Sequence, residues 1–131
     1  MDYAFLKTAK STMSDIMDIP TFLGTLFQFR DRIHLAHLAT NSYAIHKATE
    51  KLYEVLLDHI DTLCETQQSN ELLKITIIES QTNSDGLGIV EELISFIEKN
   101  RNIFLESYSQ QILDNIIEVS KQTLYRIKML K

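Results

Sequence analysis

Residues that break helices are almost missing from this chain. Its 131 residues include one proline and three glycines, and from Thr25 to Asp85 there is neither. Period-two alternation of β-branched residues is scarce, whereas apolar residues recur at the three-and-four spacing of a helix face. The expected class is all-α, as one domain over residues 1–131.

The punctuation that does exist divides the chain. Asp18, Pro20 and Thr21 are a start signal, since proline is tolerated in a first turn. Helix A is expected from there to about Ala39, with Phe22, Leu26, Phe29, Ile33 and Ala36 on its core face. Asn41 and Ser42 are capping residues, and a second helix is expected from Tyr43 to about Gln67. Its apolar stripe is Ile45, Ala48, Leu52, Val55, Leu56, Ile60 and Leu63. Residues 68–86 must cross the bundle. Within them, Leu72, Leu73, Ile75, Ile77 and Ile78 suggest a short helix, and Ser84–Gly88 a loop. Ile89, Leu93, Ile94, Ile97 and Phe104 read as a third helix, and Ile112, Ile116, Ile117, Val119, Leu124 and Ile127 as a fourth. The break between these two falls at Ser107–Ser109 or at Asn100–Asn102. Residues 1–17, with Phe5, Ala9, Met13 and Ile16 at helical spacing, are read as a short helix or an N-terminal arm. Four long helices with one long crossover between the second and third make a ferritin-like bundle.

The run from Phe29 to Glu65 contains all four histidines. On the second helix His46, Glu50, Asp61 and Glu65 fall on one line along the edge of the apolar stripe. Imidazole and carboxylate at a spacing of four are suitable donors for a hard or borderline divalent metal. His46 and Glu65 are nevertheless roughly 28 Å apart at a rise of 1.5 Å per residue. The two ends can share a metal only if the helix meets an antiparallel copy of itself across a two-fold axis. The tight turn after Ala39 carries His34 back to the same level as His46 and Glu50. The expected constellation is His34, His46 and Glu50 from one subunit with Asp61 and Glu65 from its twin.

The segment HLAHLATNSYAIHKATEKLYEVLLDHIDTLCE resembles the ferroxidase segment of the Dps proteins, the miniferritins of the ferritin-like superfamily. That family has a histidine, a second twelve residues on, an acid four beyond it, and then Asp and Glu four apart further along the helix. These positions fall without insertion on His34, His46, Glu50, Asp61 and Glu65. The resemblance implies that these five residues are the catalytic metal ligands of a two-iron ferroxidase centre at a dimer interface, with Zn or Mn as possible substitutes. It further implies oxidation of Fe(II) by peroxide or dioxygen, protection against peroxide damage, and iron storage in a homododecameric cage. The site built on a Glu-x-x-His pair, used by other ferritin-like proteins, is not expected, because no such pair occurs in the chain. Leu35 stands where the family commonly carries an aromatic residue.

Of the remaining candidates, His37 is expected as a hydrogen-bonded histidine, either structural or supporting the ligands from behind, and not as a ligand. Asp58 either lines an acidic cavity or belongs to a solvated face. His59, inside the apolar stripe, is expected as a packed or interface residue, and Cys64 as a small buried hydrophobe. The chain carries 13 Lys and Arg against 18 Asp and Glu, a net charge of −5. That balance argues against a general phosphate-backbone binder, and DNA binding is not supported by the sequence. With one cysteine and no apolar run of membrane length, a soluble, reducing, cytoplasmic setting is expected. The competing expectation is a non-enzymatic assembly protein, an oligomeric helical bundle whose acids and histidines hold a structural or vestigial metal.

Overall fold

The computed structural model describes residues 17–79 and 85–130. The expected N-terminal arm therefore falls almost wholly outside the described residues. Four α-helices are present there: α1 (Ile19–Ala39), α2 (Tyr43–Gln67), α3 (Gly86–Asn100) and α4 (Ser107–Met129). A short 3-10 turn, Arg101–Ile103, follows α3.

Local chemistry sets the helix ends. Asp18 caps α1 by accepting a hydrogen bond from the Thr21 amide at 2.8 Å, with Pro20 in the first turn. Hydrogen bonding from the Thr21 side chain first, and then from its amide, holds the Asp18 carboxyl below its ordinary pKa. Ser42 caps α2 through the Ile45 amide at 3.3 Å. Asp85 caps α3 through the Gly88 amide at 2.8 Å, so Gly86 and Gly88 are helical and not loop as expected. The third helix ends at Asn100, the second of the two expected positions. The chain then turns through 101–106, where Arg101 holds the corner by bonding Gln110 and Asp114 of α4.

The main packing contacts link α1 with α2, α2 with α4, α4 with α3, and α3 with α1, so the helices stand at the corners of a square with α2 and α3 on one diagonal. Phe22, near the start of α1, packs at 4.8 Å on Phe96 near the end of α3 and on Phe104 beyond it. At the same end, Gln67 at the close of α2 donates to Ser109 at the opening of α4. Neighbouring helices are therefore antiparallel, while α2 and α3 run the same way. The diagonal connection has to travel the full length of the bundle.

The core follows the expected stripes. Phe22, Leu26 and Ile33 of α1, Leu52, Leu56, Ile60 and Leu63 of α2, Leu93 and Ile97 of α3, and Ile116 of α4 are fully buried. Ser109, Ser120 and Thr123 on α4 are buried with them. The hydroxyl of Thr123 satisfies itself on the carbonyl of Val119 one turn back.

The crossover departs from expectation. Leu72–Glu79 contain no helix. They form a strap along α1: the Thr76 amide donates to the Pro20 carbonyl at 3.2 Å, and Gln28 donates to the Glu79 carbonyl. A Cβ built on Gly24 would stand 1.7 Å from the Thr76 carbonyl oxygen, so the strap takes the space of a missing side chain. A run rich in β-branched isoleucine and threonine favours this extended form over a helical turn. No helix among the described residues is long and apolar enough to cross a membrane.

Candidate metal site

The turn Thr40–Ser42 folds α2 back along α1 and brings the two helices' histidines together. Its geometry is fixed by the Thr40 hydroxyl accepting from the Ser42 amide and by the Ser42 cap. His37, buried, faces His46 across the seam with ring centroids 3.8 Å apart and planes inclined by 21°.

Their hydrogen bonds are reciprocal. His37 Nδ1 lies 2.6 Å from the His46 carbonyl oxygen, and His46 Nδ1 lies 3.1 Å from the His37 carbonyl oxygen. A carbonyl only accepts, so each Nδ1 carries a hydrogen and donates it. In the neutral ring this fixes the tautomer and leaves Nε2 as the lone-pair nitrogen, the condition in which a histidine binds metal. Neither Nε2 has a hydrogen-bond partner among the described residues. His37 is thus hydrogen-bonded, to the His46 carbonyl.

His34 takes a different neighbour. Its ring stacks on Tyr53 of α2 at 4.2 Å with planes inclined by 16°, and Tyr53 also meets His37 edge-on at 5.3 Å. The Arg30 guanidinium stands 5.6 Å from the centroid of the same tyrosine. Tyr53 is thus the hub of the seam, a role the sequence reading did not assign. Its spacing, seven residues beyond His46 and three beyond Glu50, puts it on the same face as those two and was the available signal. It also sets an aromatic ring against His34, where Leu35 supplies none.

Glu50 lies one turn beyond His46, half-exposed, with its carboxylate 3.5 Å from the Lys47 ammonium. Asp61 and Glu65 are exposed at the far end of α2, and Glu54 and Asp58 are exposed with them. At 100° per residue these four acids fall within an arc of about 60°. No Lys or Arg interrupts them, and none of the four has an ion-pair partner among the described residues. Like charges at a spacing of four oppose each other, and carboxylates near a helix C-terminus meet the negative end of its dipole.

The two halves of the expected constellation therefore remain apart within one chain, as the length of α2 requires. Nor do His34, His46 and Glu50 form a closed donor set: among the described residues, no three His, Cys, Asp or Glu side chains gather as a metal-holding group. His59 is half-buried. Cys64 is buried, and its thiol is pushed up to about 11 by burial first and then by the charges of Asp61 and Glu65. It is accordingly no ready thiolate ligand.

Residues 37–127, more than half of the chain, match the model of a protein family. The chain belongs to the family of unknown function DUF5856. The DUF5856 match runs from His37, in the last turn of α1, through α2, the strap and α3 to Ile127 near the end of α4. It thus includes His46, Glu50, Asp61 and Glu65 but not His34. No curated protein and no solved structure matches.

Proposed function

We propose that this chain is a Dps-like ferroxidase and iron-storage protein of the ferritin-like type. Its substrate is Fe(II), taken at sites built by two copies of the chain. His34, His46 and Glu50 come from one subunit, and Asp61 and Glu65 from its two-fold mate. The observation that carries this reading is His46. Its Nδ1 is committed to a backbone carbonyl, so the ring is pre-set in the tautomer that offers Nε2 to a cation. The unpaired acids at the other end of α2 supply the complementary half, because an antiparallel copy brings negative charge to the histidine end.

The donor set suits iron. Imidazole and carboxylate favour first-row divalent ions over soft ones, and anionic oxygen donors stabilise the ferric product, which eases loss of an electron to peroxide or dioxygen. Within this chain, the His37 carbonyl and the Tyr53 ring hold the two ligand histidines in orientation. Glu50, Asp61 and Glu65 offset the charge that accumulates when iron is oxidised. The square of antiparallel neighbours, with α2 and α3 parallel across a long connection, is compatible with a ferritin-like bundle and supports the reading. Storage further requires a cage, proposed as a dodecamer.

A second reading is favoured by the same seam. The His34–Tyr53 stack and the His37–His46 pair also serve as packing that locks α1 onto α2, as an oligomeric bundle with a structural metal would need.

The discriminating experiment adds Fe(II) anaerobically and then peroxide. Rapid growth of near-ultraviolet ferric absorbance, lost in a His46→Ala, Asp61→Ala double variant, is expected of the ferroxidase. Equal rates with and without protein would establish the assembly reading instead. A solution mass near twelve subunits is expected if mineral is stored, and a stable dimer would remove storage while leaving oxidation in place.

A further inference from the structure

Where α1 begins, α2 closes and α4 opens, the bundle leaves apolar side chains bare. Ile77 is 94% exposed, Leu105 89% and Leu72 88%, the three most exposed large hydrophobic residues among those described. They are not scattered. Ile77 follows Thr76, whose amide bonds the Pro20 carbonyl in the first turn of α1. Leu105 follows Phe104, whose ring packs on Phe22, also near the start of α1. Leu72 precedes Leu73, whose amide donates to the Gln68 side chain just past α2, and Gln67 beside it donates to Glu106, the neighbour of Leu105. Single exposed apolar residues are ordinary, but several gathered at one end of a bundle mark a surface that something covers.

The chain itself arrives at this surface. Residues 1–16 join the described structure at Met17, which packs on the core just before the Asp18 cap. An apolar residue in that position fixes the angle at which the preceding chain enters the helix. Sixteen residues span about 24 Å as a helix and about 53 Å fully extended, enough to cross this end of a bundle whose helix axes stand about 10 Å apart. In sequence they carry Phe5, Ala9, Met13 and Ile16 at helical spacing, together with Lys7 and Lys10. The surface offers the opposite sign. Glu71, just before the strap, and Glu79, at its end, are exposed and have no ion-pair partner among the described residues. Lys74 between them leaves this stretch net acidic.

We infer that residues 1–16 dock over this end of their own bundle. Phe5, Met13 and Ile16 meet Leu72, Ile77 and Leu105, and the two lysines lie toward Glu71 and Glu79. Attachment favours this occupant over a separate molecule, because a segment on a short tether meets its surface at an effective concentration on the order of millimolar. None of the proposed iron ligands lies on the strap or in the 101–106 corner, so the inference stands apart from the iron reading.

The chain contains no tryptophan, so Phe5→Trp in the full chain reports from the segment alone. Its emission is expected at short wavelength and shielded from acrylamide. Adding Leu72→Asp with Leu105→Asp should shift that emission to the wavelength of the urea-unfolded chain, whereas Leu130→Asp, at the opposite end of the bundle, should leave it in place. Circular dichroism and unfolding midpoints establish that each variant is folded, and Leu105→Asp alone carries the test where the pair does not fold. Refolding the released variant with an excess of the parental chain, which adds no tryptophan, should leave its emission at long wavelength. Recovery of the short-wavelength emission in that mixture would overturn the proposal in favour of a second copy as the occupant. Phe5→Trp emission that already matches the unfolded chain, that the aspartates at Leu72 and Leu105 do not move, or that Leu130→Asp moves equally would overturn it outright.

Discussion

His37 and His46 are bound to each other's backbone, each ring donating Nδ1–H to the other's carbonyl while the rings stack at 3.8 Å. Each side chain therefore has a structural nitrogen and one without a partner among the described residues, and the two can be removed separately.

Asparagine places an amide N–H near the position of Nδ1, and glutamine places one near Nε2. His46→Asn should keep the bond to the His37 carbonyl and hold unfolding free energy within about 1 kcal/mol of the parent. The same variant should lose Fe(II) oxidation. His46→Gln should instead cost about 1–3 kcal/mol, because the His37 carbonyl, part-buried in the seam, loses its donor. Urea unfolding alongside ferric absorbance separates the two effects. Oxidation at the parental rate in His46→Asn would exclude His46 as a ligand.

The acids of α2 should give the opposite balance. Asp61→Asn with Glu65→Gln removes like-charge repulsion at a spacing of four and an unfavourable meeting with the helix dipole. The metal-free protein at low salt should gain roughly 0.3–1 kcal/mol. Oxidation should fall to the rate without protein. Chemical denaturation at two salt concentrations checks the first part, since the gain should shrink as salt rises.

Gly24 is where the strap needs empty space. Gly24→Ala sets a methyl group 1.7 Å from the Thr76 carbonyl, and neither backbone yields without moving the strap. The helix-propensity gain of alanine, about 1 kcal/mol, acts in the other direction. Overpacking costs about 1–3 kcal/mol, so a net loss is expected. Hydrogen exchange at the Thr76 amide should quicken, since its bond to Pro20 is the one that opens. An unchanged amide would show that the strap is held elsewhere.

Cys64 should be slow to react. Its thiol is pushed from 9.0 up to about 11, so the thiolate fraction near pH 8 falls about a hundredfold before burial adds its own hindrance. Folding keeps the proton on, so this contribution to stability is complete below pH 9 and is lost as pH rises through 11. Labelling by a thiol reagent at pH 8 should follow unfolding, and the alkaline loss of stability should be smaller in Cys64→Ala.

The helices and their buried faces were legible because period and breakers act locally. Asp18, Pro20 and Ser42 announce their helix ends, and the stripes from Phe22 to Ile33 and from Leu52 to Leu63 are the core. The strap was not legible in the same way. Leu72 to Ile78 hold enough apolar residues for a helix, and only Gly24, far away in sequence, reveals that an extended backbone lies against α1. Gly86 and Gly88 read as loop until Asp85 is seen to cap them. At the site, spacing placed His34, His46 and Glu50 on facing sides of one seam. It did not reveal that His37 and Tyr53 would claim their rings, because ring orientation depends on the opposite helix.

The square arrangement has a kinetic corollary. Each of the pairs α1–α2 and α3–α4 is a hairpin closed by a short turn, so its contacts are near in sequence and form early. The α1–α3 and α2–α4 faces bring together residues separated by the entire strap. Assembly of the monomer should therefore be limited by the docking of two preformed hairpins, with the seating of Thr76 over Gly24 as the event that commits them.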